Sequence, residues 1–183
     1  MQSMDLKVKL SLKRIGMNDI SDILRLIQND NNKKQELYDL VFDDNEFIGY
    51  HAAWVLTHLS PENNKWLYNK YDELVDEVLV CKHGGKRRVI LNLIYKQPLS
   101  NLSRVDFLDF CLEHMISSKE LPGVQSLCMK IAYELCLPFS ELKQELKTTL
   151  EMMEGNLCPA IRTTRKNILK ALQRGKSIQK QVK

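Results

Sequence analysis

This 183-residue sequence predicts an all-α fold of stacked helix pairs, and three observations carry the prediction. The first is one apolar pattern written four times. Ile48-Gly49-Tyr50-His51-Ala52-Ala53-Trp54-Val55-Leu56-Thr57-His58-Leu59 sets it; residues 124–135 repeat it 76 positions later, and residues 161–172 a further 37 on. Residues 85–93 fall between the first two copies, at steps of 37 and 39. A period of that length marks helical pairs, each burying its apolar face against the next. The second observation is that Pro122 and Pro159 stand two residues before the equivalent apolar positions Val124 and Ile161. Proline is tolerated at the first helical position, so a shared start is in register with a shared pattern. The third is that seven Gly and five Pro leave little room for turn-rich β architecture.

Each element has a local reason. Leu6, Val8, Leu10 and Leu12 alternate with Lys7, Lys9, Ser11 and Lys13, which suits a strand. A lone strand has nothing to pair with, so a helix or partly ordered cap is expected there. Residues 18–28 carry Ile20, Ile23, Leu24 and Ile27 at helical spacing, opened by Asn18 or Asp19. Residues 32–42 follow with Leu37, Tyr38, Val41 and Phe42. Asp43-Asp44-Asn45 breaks that helix and caps the next, at 46–59. Ser60-Pro61-Glu62 opens a helix over 61–81 with Trp66, Leu67, Tyr71, Leu74, Val75, Val78 and Leu79 on one face. His83-Gly84-Gly85 is expected to stop it by a left-handed glycine. A helix to about residue 96 is closed by Pro98. Ser103 and Asp106 have capping-box spacing ahead of Phe107, Leu108, Cys111, Leu112 and Met115. Helices over 122–137, 140–154 and 159–174 complete the set.

Hydrophobic content of 44% and 27% charge belong to a globular protein rather than a disordered one. At 21.3 kDa the chain suits one domain over residues 1–174, with 1–29 as an N-terminal cap and 30–174 as repeats. Residues 175–183 read as a basic flexible tail. Lysines interrupt the apolar residues at the start, and no apolar run nears the roughly 18 residues of a membrane span, so neither a signal peptide nor membrane insertion is expected. Five cysteines, an odd number lying mostly within apolar patterns, suggest reduced thiols and a cytoplasmic location. The net charge of +4 is uneven. Residues 155–183 hold eight basic and no acidic side chains, leaving 19 basic against 23 acidic, or −4, for residues 1–154.

The run of Ile48, Ala52, Ala53, Val55, Leu56 and Leu59 resembles the second-helix pattern of the HEAT-like or armadillo-like α-solenoid family, and the likeness extends over residues 30–174. The resemblance implies a right-handed α-solenoid of about four HEAT-like antiparallel helix pairs, with second helices lining a concave face. Its more exposed positions would be Tyr50, His51, Trp54, Thr57 and His58; Arg87, Arg88, Leu91, Ile94 and Tyr95; Ser126, Leu127, Lys130, Tyr133 and Glu134; and Thr163, Thr164, Asn167, Lys170 and Ala171. A mixed aromatic and basic stripe suits an acidic peptide or a phosphate backbone. Trp54, Leu91 and Ile94 equally suit packing between units. Arg162, Arg165, Lys166, Lys170 and Arg174 read either as the polar face of a terminal cap or as a nucleic-acid footprint.

Catalytic chemistry is not evident. Cys111 and His114, at i and i+3, lack a second ligand pair, as do Cys81 and His83; Cys128 and Cys136 have ordinary core spacing. Phosphate loops, nucleophile elbows and zinc-protease motifs are missing, and no cofactor or metal is expected. A protein-interaction or scaffold module with a protein or peptide partner is the favoured expectation. The alternative is a nucleic-acid binder similar to the DNA alkylation repeat glycosylases, using Trp54, Arg87, Arg88 and the carboxylate of Glu134. A third reading is self-association through Leu91 and Ile94.

Overall fold

The computed structural model describes residues 5–99, 103–153, 155 and 157–179. Among them regular structure is entirely helical: α1 (Leu6–Leu10), α2 (Met17–Ile27), α3 (Asn31–Asp39), α4 (Glu46–Leu56), α5 (Pro61–Asn64), α6 (Tyr71–Val80), α7 (Gly84–Tyr95), α8 (Val105–His114), α9 (Pro122–Cys136), α10 (Ser140–Met152) and α11 (Pro159–Arg174), with 3-10 turns at Leu40–Phe42 and Lys65–Lys70. The fold is all-α, of the α-solenoid class. The chain packs as two compact units, residues 1–93 and 94–183.

In the first unit α4 is the central helix, packed against α1, α2, α3 and the 3-10 turn at 40–42. Ile48, Ala52, Ala53, Val55 and Leu56 are buried, as the pattern requires. Gly49 lets the chain come close: a Cβ there would lie 2.6 Å from the Val41 carbonyl oxygen and 2.9 Å from Lys86 Nζ. The alternation at residues 6–12 resolves into one helical turn. The Asp5 carboxylate caps it through the Lys7 and Val8 amides, at 2.9 and 3.3 Å, and Leu6 and Leu10 are buried at i, i+4.

Three local expectations are revised. Residues 61–80 are not one helix, because the 3-10 turn at 65–70 tightens the chain between α5 and α6. There Trp66 meets the Tyr38 ring edge-on at 5.8 Å, while Lys70 Nζ lies 4.8 Å from the Tyr38 centroid and 5.3 Å from that of Trp66. Gly84 and Gly85 do not stop α6. Cys81 ends it by leaving in an extended conformation, and the glycines begin α7. Ser103 does not cap α8. Arg104 stands at the N-cap and grips Asp106 with two guanidinium nitrogens, at 2.9 and 2.8 Å, which holds the Asp106 carboxyl below its usual range.

In the second unit α9 is central, packed against α8, α10 and α11, and 11 of its 15 residues are buried. Pro122 and Pro159 occupy the first turns of α9 and α11. Gly175 follows α11 in the left-handed conformation at φ 62°, the usual way to end a helix and redirect the chain.

Candidate functional site

In the first unit the candidate residues gather along α4. Tyr50, Trp54 and His58 recur every fourth residue and form a ladder: Tyr50 stacks on Trp54 at 6.2 Å and 12°, and Trp54 meets His58 at 6.1 Å. His83 extends it, 5.7 Å from Tyr50 and 5.8 Å from the exposed Phe47 ring. All three ladder residues are half-buried. The His58 Nδ1–H donates to the Trp54 carbonyl at 2.9 Å, since a carbonyl can only accept, so Nε2 is the ring's remaining polar atom. His58 borders a surface cleft of about 350 Å³ with Arg25, Ser60 and Asn63.

His51 departs from the expected exposure. Its ring is buried, and Nδ1–H donates to the Leu10 carbonyl at 2.8 Å. It ties α1 to α4, because the end of α1 leaves a carbonyl without an intrahelical partner. Leu91 and Ile94 are fully buried as well, which removes the surface on which self-association through them was to rest. Arg87 is half-buried and gives its guanidinium to the Cys81 carbonyl; Arg88 is exposed.

Lys86, expected only as part of a helix turn after Gly84-Gly85, is buried. The residue is 3% exposed, and its ammonium lies 2.7 Å from Glu77 Oε1 and 3.9 Å from Glu46 Oε2. A buried charge requires such partners. The signal available was Gly49, whose missing side chain makes room for the lysine.

In the second unit Tyr95, Lys130 and Tyr133 come together, with Lys130 Nζ 5.7 Å from the Tyr95 ring centroid. Tyr133 and Glu134 are buried rather than exposed, and both bond the chain's own tail. The Tyr133 hydroxyl donates to the Lys176 carbonyl at 2.7 Å. Glu134 Oε1 accepts the main-chain N–H groups of Ile178 and Gln179, at 2.8 and 3.1 Å. Gln179 Nε2 donates to the carbonyls of Tyr95 and Gln97, at 2.7 and 2.9 Å. The segment expected to fray is held at both ends as far as Gln179; residues 180–183 lie outside the described residues. Burial, with Glu134 nearby, pushes the Tyr95 phenol up to about 12 and raises Tyr133 as well. With two N–H groups on one oxygen, Glu134 is engaged as an acceptor.

On α11, two of the five basic residues serve the fold. Arg165 donates to the Leu150 and Glu151 carbonyls at the end of α10, and Arg162 to the Leu157 carbonyl. Lys166, Lys170 and Arg174 are exposed. The Cys–His pairs part company. Cys111 is in the core while His114 stacks on Phe110 at 3.9 Å and meets Glu120 at 2.8 Å; the Cys81 thiol donates to the His83 carbonyl. Among the described residues no group of three or more His, Cys, Asp or Glu side chains is placed to hold a metal ion, and no helix is long and apolar enough to cross a membrane.

Compared with known families, residues 6–172 match the model of the HEAT repeat domain. No curated protein and no solved structure matches the chain.

Proposed function

Because the chain belongs to the HEAT repeat family, we propose that it is a non-catalytic scaffold whose business is to hold a protein or peptide partner. The observation that supports this most is the half-exposed ladder of Tyr50, Trp54 and His58 beside the cleft at Arg25 and Ser60. Rigid aromatic side chains offer large contact area at low entropic cost, and Trp and Tyr are enriched among residues that dominate binding energy. Tyr50 and Trp54 sit on α4, of whose 11 residues 7 are buried, so they are held in place before any partner arrives. Four buried free thiols are in keeping with a reducing, cytoplasmic setting.

The test compares the full chain with a Tyr50→Ala/Trp54→Ala variant as bait in extract of the native host, after confirming equal helicity. A partner held by the parent and lost by the variant is expected. Identical sets retained by both would remove the ladder from the function.

A further inference from the structure

We propose that Tyr133, Glu134 and the end of α7 form a site for a basic polypeptide segment, and that the C-terminal tail is its tethered competitor. The proposal rests on reading the protein as a polypeptide binder, and goes beyond it by locating a second surface and its regulation.

The argument starts from α7. A helix ends with carbonyls that lack intrahelical partners, and carries partial negative charge there. Tyr95 is the last residue of α7, and its carbonyl and that of Gln97 point at one donor, Gln179 Nε2. Glu134, 4% exposed, adds a full negative charge and takes two consecutive main-chain N–H groups. Tyr133 supplies the complementary donor, to a main-chain carbonyl. Three of these five bonds involve main-chain groups of the segment, which any non-proline residue supplies; the two successive amides on one carboxylate oxygen require the segment to bend at Gln179.

Two further observations point to a ligand. The side-chain amide of Gln97 is buried, and neither Nε2 nor Oε1 is paired among the described residues, so hydrogen-bonding capacity remains beside the occupied carbonyl. The occupant also fits the field: residues 175–183 contain Lys176, Lys180 and Lys183 and no acid. A tether this short presents the tail at an effective concentration on the order of millimolar, enough to mask the site while leaving it displaceable.

Hydrogen exchange on the full chain tests the masking. The Ile178 and Gln179 amides should exchange at least tenfold slower in the parent than in Glu134→Ala, equally at low and high protein concentration. Random-coil exchange in the parent overturns the proposal, and protection that grows with concentration overturns it in favour of a tail exchanged between copies. The full-chain variant Ile178→Pro/Gln179→Pro, which lacks both N–H donors, tests the site. A synthetic peptide of residues 175–183 should bind this variant at least tenfold more tightly than the parent, and the same peptide N-methylated at Ile178 and Gln179 should not bind. Equal binding of the peptide to variant and parent, or of the two peptides, overturns the proposal. Loss of the ladder's partner in the Tyr50→Ala/Trp54→Ala bait leaves both results untouched, so the two readings fail separately.

Discussion

Replacing Gly49 with alanine sets two effects of opposite sign against each other. Alanine is the better helix former, by about 1 kcal/mol, and α4 is a helix with this glycine inside it. The new Cβ, however, would stand 2.6 Å from the Val41 carbonyl oxygen and 2.9 Å from both Cε and Nζ of Lys86. The lysine end can swing aside, but only by leaving the Glu77 carboxylate 2.7 Å away, in a site where the ammonium is almost sealed from water. The carbonyl oxygen is backbone and cannot rotate away. Overpacking of this kind costs about 1–3 kcal/mol, and disturbing a buried ion pair adds to it, up to about 3–5 kcal/mol when a partner is lost outright. The net expectation is a loss of about 2 kcal/mol, which for a chain of this size lowers the melting temperature by about 4–8 °C. Thermal and urea melts followed by circular dichroism measure it. In a Lys86→Met background the Val41 contact persists, so Gly49→Ala still destabilises, by a smaller amount; the difference is the coupling between the two positions. A neutral or stabilising Gly49→Ala, as helix propensity alone would give, refutes the close approach.

Other expectations follow from the same contacts. His51→Leu leaves the Leu10 carbonyl without its donor and should cost about 1–3 kcal/mol, with amide exchange in α1 rising first. Lys7, 2.5 Å from Asp43, holds the Asp43 carboxyl below its usual range. That contribution is present above the ordinary Asp value and is lost as pH falls through the lower, folded one, so Asp43→Asn should flatten the acid limb of a stability–pH curve. The thiols work in the opposite direction. Burial pushes the Cys136 thiol up to about 11 and raises Cys111, where the Cys128 thiol adds to the effect. Stability should therefore be whole below the unfolded thiol value of about 8.5 and decline as pH rises toward 11, less steeply in Cys136→Ala. Thiol reagents should modify the half-buried Cys158 well before the four buried cysteines.

The parts of this molecule that were legible in its sequence are those where burial follows a period. The copies at Ile48 and Val124 are the central helices α4 and α9, and the prolines at 122 and 159 mark helix starts, because both signals act over a few neighbouring residues. Contacts closed by distant chain were hidden. His51 sits at a position the repeat leaves exposed, and becomes core only because the Leu10 carbonyl arrives from 41 residues away. Glu134 was legible as a carboxylate on α9 but not as the anchor of amides 44 and 45 residues on. Leu91 and Ile94 were ambiguous by nature, since an apolar residue on a helix face looks the same in a core and in a groove.

The contacts at the tail bear on how this protein can diverge. Lys176, Ile178 and Gln179 reach Tyr133 and Glu134 through peptide groups, which nearly every amino acid supplies alike. Selection acting on this docking would see the turn at Gly175, the exclusion of proline and the Gln179 side-chain amide more than the identity of the other residues. Glu134 and Tyr133, which hold the segment by its peptide groups, are therefore the two side chains on which this contact most depends.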